Sequence, residues 1–101
     1  MKLTEDLTRE ALLANLHSKF LMRFPNAEPL ELELLSVTDL PGSAGQEQMS
    51  AVFLAPPQAP AAQGLYELEH EHFGTFGIFL VPIALDQKGL QYEAIFNRLN
   101  V

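Results

Sequence analysis

The chain has 101 residues, 48% of them hydrophobic and 19% charged, with a formal charge of −7 at pH 7 and no cysteine. One domain is expected at this length, and the apolar content is that of a folded rather than a disordered chain. The acidic balance argues against sequence-independent binding to nucleic acid or to anionic membranes, and the missing thiols exclude disulfides, thiolate nucleophiles and zinc–thiolate sites.

The start, Met1–Asp6, turns acidic where a signal peptide would become apolar. The longest apolar stretch, Phe76–Leu85, is too short to cross a bilayer and contains Gly77 and Pro82. A cytoplasmic protein is therefore expected. Thr8 is a good helix N-cap, with Leu7 and Leu12 at the two positions of a hydrophobic staple and Glu10 in the first turn. Leu12, Leu13 and Leu16 form an apolar stripe, which predicts a helix over about 8–17; Thr4 is a rival cap one turn earlier.

The apolar period then changes to two. Phe20, Met22 and Phe24 alternate with Lys19, Leu21 and Arg23, and the leucines of 30–34 alternate with Glu31 and Glu33. Pro25–Pro29 reads as the loop between these strands. The doublet Leu34-Leu35 shifts the apolar series to odd numbers, which predicts a β-bulge near Leu34–Ser36. Pro41–Gly45 reads as a loop and Met49–Ala55 as a third strand. Pro56–Gln63 reads as a linker without a large apolar group to pack.

Leu65–His70 is a fourth strand, with Tyr66 and Leu68 opposite Glu67 and Glu69. After a turn at Glu71–Gly74, Thr75–Leu85 is apolar on both faces and is expected to be central, with an irregularity at Pro82. Asp86–Gly89 is a hairpin turn, and Leu90–Leu99 is the last strand, presenting Tyr92, Ala94 and Phe96 on one face. The expected fold is mainly β: a small antiparallel barrel or compact sandwich of about six strands, with one N-terminal helix covering an end.

Four segments carry a resemblance: the Leu3-Thr4-Glu5-Asp6-Leu7 opening, Leu30–Thr38, Gln63–His70, and Phe79–Ile83 followed by Gln91–Asn97. In their order they resemble the bacterial family catalogued as domain of unknown function 6916. The resemblance carries no enzyme activity. It implies gene neighbourhoods encoding phage-tail-collar-like proteins, and hence an accessory part in a larger assembly. Similar sequences have His-Pro where this chain has His70-Glu71-His72, so no family role is projected onto that pair.

His70 and His72 would share a strand face if the strand runs through both, and two imidazoles so placed can begin a metal site. A polar strand end entering a turn is the plainer reading. From Pro25 to Gln87 there is no Lys or Arg, and Glu31, Glu33, Glu67 and Glu69 would form a carboxylate cluster if their strands were neighbours. Such a cluster suits a hard cation or a basic partner. Against it, Lys19 and Arg23 are placed to pair with Glu31 and Glu33 across a hairpin.

No pair of acids stands in unlike environments, Ser36, Ser43 and Ser50 lack a nucleophile elbow, and no phosphate-binding glycine loop is present. Pro57–Pro60 matches a proline recognition motif without a flanking basic residue. Phe73, Phe76 and Phe79 are expected to fill the core rather than form an exposed aromatic patch. The leading expectation is a non-enzymatic interaction or structural protein that needs no cofactor and binds a protein partner or itself. The alternative is a small-ligand or divalent-metal-binding β-barrel.

Overall fold

Alternation of large apolar and charged residues closes this chain on itself. In the computed structural model, which describes residues 7–40 and 46–99, the elements are α1 (Arg9–Leu13), β1 (Lys19–Phe24), β2 (Ala27–Leu40), β3 (Gln46–Ala55), β4 (Gly64–His70), β5 (Gly74–Asp86) and β6 (Gly89–Leu99). All neighbouring strands are antiparallel and form a closed barrel in the order β1-β2-β3-β6-β5-β4. Of the two expected architectures the barrel is the one adopted. The expected loop Pro41–Gly45 and the rival cap Thr4 lie outside the described residues.

Of the alternating apolar positions read from the sequence, Phe20, Met22, Leu32, Leu34, Phe76, Leu80 and Tyr92 are fully buried and Phe24 and Leu30 partly so; Phe53 is buried beside them. Phe20 is the hub of this interior. Its ring lies 5.2 Å from that of Phe53 at a near-perpendicular angle and 6.3 Å from that of Phe76, within the favourable range for aromatic pairs. A six-strand barrel has an interior that side chains fill, and these side chains fill it.

The expected bulge near Leu34–Ser36 and the expected irregularity at Pro82 both occur as register shifts. The β2–β3 register shifts between Leu34 and Ser36, where the leucine doublet exchanges one inward phase for the other. The β5–β6 register shifts between Pro82 and Ala84, so the proline without an N–H sits where the ladder is already interrupted. At the β5–β6 turn Gly89 has φ 147°, and a Cβ there would lie 2.1 Å from the Ala55 carbonyl oxygen. Only glycine allows that approach.

Four expectations are corrected. The helix is five residues long rather than spanning 8–17: Thr8 Oγ1 accepts from the Ala11 N–H as its cap, but the chain leaves the helix at Ala14. His17 takes φ 66° and its N–H bonds the Leu34 carbonyl at 2.7 Å, so tethering to β2 replaces a further helical turn. The loop Pro25–Pro29 shrinks to two residues. β2 begins at Ala27, opposite Phe24, and the register shift between Met22 and Phe24 takes up the extra residues around Pro29.

The third correction concerns β5, which is not buried on both faces. In a closed barrel one face of every strand points outward, and Phe79, Ile83 and Leu85 are exposed while Phe76, Ile78 and Leu80 are buried. The fourth concerns residues 56–63. β3 and β4 lie across the ring from one another, so the segment joining them crosses the barrel end. Ala59 is buried in the core, Tyr92 Oη donates to the Pro60 carbonyl at 2.5 Å, and Tyr66 Oη donates to the Ala62 carbonyl at 2.5 Å. Burial, with a smaller effect from Tyr66, pushes the Tyr92 phenol up to about 12, so it stays a donor throughout the neutral range. The segment is a strap over one end, while α1, with Leu12 in the core, packs near the other.

Candidate functional site

The outward face of β1 carries Lys19, Leu21 and Arg23, and its neighbours on either side supply the acids. β1 pairs with β2 (Lys19 opposite Glu33, Leu21 opposite Glu31) and with β4 (Leu21 opposite Glu69, Arg23 opposite Glu67). Glu31 and Glu33 are thus separated from Glu67 and Glu69 by a whole strand that bears two cations. The expected single cluster does not assemble, because β2 and β4 are not neighbours.

The ion pairs run diagonally across this band. Lys19 Nζ lies 2.9 Å from Glu31 Oε1, and Arg23 Nη1 donates to Glu69 Oε1 at 2.7 Å. The Glu31 carboxylate, by hydrogen bond and charge, raises the Lys19 pKa. Glu33 is met by His17, whose Nδ1 lies 2.7 Å from Glu33 Oε2. Lys19 pairs with Glu31 as the sequence leads one to expect, whereas Arg23 turns to β4 instead of β2. Among the described residues Glu67 has no ion-pair partner.

β4 ends at His70, and His72 lies in the turn that follows. The His70 ring is buried against Phe20 and Phe73, with centroids at 4.3 and 4.8 Å, whereas the His72 side chain is exposed. Both nitrogens of His70 are engaged. Nδ1 accepts the His72 backbone N–H at 3.0 Å, and Nε2 lies 2.9 Å from Ser18 Oγ. The N–H bond to Nδ1 places the proton of the neutral ring on Nε2. Nε2 therefore donates to Ser18 Oγ, which in turn donates to the Asn15 carbonyl at 2.6 Å.

Burial pushes the His70 pKa below the ordinary 6.5; the nearby His72 adds to the shift and Glu71 opposes it. This chemistry is structural. A serine nucleophile needs a histidine that takes its proton, and here the facing nitrogen already carries one. Ring lone pairs are likewise committed, and among the described residues no group of three potential metal ligands converges. A surface cleft of about 460 Å³ lies beside the pair, lined by Lys19, Glu69, Glu71 and His72 among others. Of the serines considered from sequence, Ser50 donates to Glu93 Oε2 at 2.6 Å, and Ser43 lies outside the described residues.

Sequence reasoning missed an exposed apolar pair on the outer surface. Leu65 on β4 stands directly opposite Phe79 on β5, and they are 75% and 53% exposed. Ile95 on β6 is also exposed on the outer surface. Of the three phenylalanines expected in the core, Phe73 and Phe76 are buried and Phe79 is not. Parity gives the signal: Phe76, Ile78 and Leu80 share one face, so Phe79 must face away. Glu67 and Glu69 on β4 continue the same outer surface.

The family model described as Domain of unknown function (DUF6916) matches residues 7–96, and the chain belongs to that family. No curated protein and no solved structure matches the chain significantly. Among the described residues no helix is long and apolar enough to cross a membrane.

Proposed function

We propose that this member of the DUF6916 family is a non-enzymatic interaction protein, and that it docks a protein partner through the outer face of β4 and β5. The observation that carries this reading is the cross-strand pair Leu65–Phe79, two large apolar side chains left in water side by side. The other aromatic rings of this fold are buried or partly buried, so Phe79 stands apart at the surface, and exposed apolar groups framed by charge are a common feature of docking surfaces. The resemblance noted from the sequence directs the search towards a phage-tail-like assembly, met in the cytoplasm. The filled barrel interior and the committed nitrogens of His70 lend no support to a ligand or metal inside the barrel.

The test is a tagged pull-down from native lysate with the wild-type chain and with Leu65→Glu/Phe79→Glu, both first shown to melt alike. A near-stoichiometric partner is expected with the wild type and is lost with the double variant. Equal recovery from both chains, or none from the wild type, overturns the reading.

A further inference from the structure

The barrel closes by a ladder that covers only part of β5 and β6. Their pairing runs from Asp86–Gly89 at the turn to Val81–Glu93 and stops. Beyond that point Gly74–Leu80 pairs only with β4, and β6 from Ala94 onward pairs only with β3. No turn or loop backbone group bonds to either stretch among the described residues. Two strand edges therefore border the same seam, each with a row of N–H and C=O groups that lack a strand partner among the described residues. An edge of this kind is a template for another extended chain.

The side chains around the seam are of two kinds. From Phe73 to Leu85 there is no charged residue, and Phe79 and Ile95 flank the seam with their side chains in solvent. Gly77, with no side chain, lies next but one to Phe79 on the outer face, opposite Glu67. Beyond this apolar strip lie two carboxylates: Glu67 on β4, which has no ion-pair partner among the described residues, and Glu93 on β6, which accepts from Ser50, while Glu69 is paired with Arg23. A second copy would bring a chain of charge −7 and the same acidic frame against this one. A basic segment meets it with opposite charge.

We propose that the seam between β5 and β6 receives an extended segment of a partner protein, in which basic residues alternate with apolar ones, as an added β-strand. This rests on the interaction reading above and specifies its chemistry. Main-chain bonds to the free edge of Gly74–Leu80 hold the segment. On the outer face its cations lie beside Glu67 and Glu93, and the alternate apolar side chains turn inward along the seam, towards the side of Phe76, Ile78 and Ala94. A period of two in the partner follows from the pleat of the strand it joins.

The experiment uses the full chain with three labelled eleven-residue peptides: alternating Val and Lys, alternating Val and Glu, and the Val–Lys peptide with two central prolines. Binding is read by fluorescence anisotropy, and amide exchange by mass spectrometry with residue-level fragmentation. The Val–Lys peptide is expected to bind at least about tenfold more tightly than either control, to slow every second amide of 74–80, and to weaken with Phe79→Lys. Absence of Val–Lys binding, equal binding of the proline peptide, or equal binding of the Val–Glu peptide overturns the proposal. Phe79-dependent binding without slowed amides in 74–80 overturns strand addition alone and leaves the docking face in place.

Discussion

His70 at the end of β4 and Ser18 just before β1 are joined by a 2.9 Å hydrogen bond, with the imidazole Nε2 as donor. The bond ties the strand that closes the barrel to the turn after α1, and the Ser18–Asn15 bond carries the tether onward. Because the His72 N–H occupies Nδ1, the ring is held neutral, and protonation would set two N–H groups against each other.

Stability should consequently fall with acid. Burial depresses the folded pKa of His70 below the unfolded 6.5, so the unfolded chain takes up its proton first. The contribution is fully present above pH 6.5 and is lost as pH falls from there towards the folded pKa. Thermal melts between pH 7.5 and 5 should show this decline. It should flatten in His70→Asn, which keeps an acceptor for the His72 N–H but does not titrate. An unchanged slope in that variant would assign the decline to other groups.

Phe20→Ala should cost about 3–5 kcal/mol, the range for emptying a large buried aromatic site. The ring touches Phe53, Phe73, Phe76 and His70 at once, so no single neighbour can fill the void. Urea denaturation measures the loss; a change below about 1 kcal/mol would show that the core collapses around the deletion.

Tyr92→Phe removes the donor to the Pro60 carbonyl while keeping the ring. A loss of about 1 kcal/mol is expected, together with faster proteolysis within 56–63. Cleavage at the wild-type rate would show that Ala59 burial and the Tyr66 bond hold the strap by themselves.

Gly89→Ala should destabilise by more than about 1 kcal/mol, since the new Cβ collides with backbone at Ala55 and φ is positive. Arg23→Ala provides the contrast. Its pair with Glu69 is nearly half-exposed on both sides, so the change should stay within about 1 kcal/mol and shrink as salt is raised. Reversal of that order in chemical denaturation would mean that the charge band, rather than turn geometry, governs the stability of this sheet.

What the sequence made legible was local. A two-residue period located β1, β2, β4 and β6, apolar runs between turn signals located β3 and β5, the doublet Leu34-Leu35 located one register shift, and Pro82 the other. Relations between strands distant in the chain were hidden. Whether Glu31 meets Glu67 depends on which strand lies between them, and alternation carries no information on strand order. The strap was misread because its prolines and alanines look like a linker, while the phenols that hold it belong to β4 and β6. Helix length failed for a similar reason: Leu16 continues the apolar stripe, but the His17 N–H is taken by Leu34 of β2. At the candidate surface the acids were visible as residues, and the Leu65–Phe79 pair became visible only once inward and outward parity was fixed on both strands.

The strand order also bears on how the ring is assembled. β1, β2 and β3 form one meander of hairpins and β4, β5 and β6 another, with the strap between them. Every pairing inside a meander is near-neighbour in sequence, whereas β1–β4 and β3–β6 bring together residues from opposite halves of the chain. The hairpins can nucleate separately at small loop-closure entropy, and the two inter-meander ladders carry the large one. Of these, β1–β4 has three residue pairs and β3–β6 has ten, so the two meanders meet mainly along β3–β6 and β1–β4 is the thinner of the two junctions.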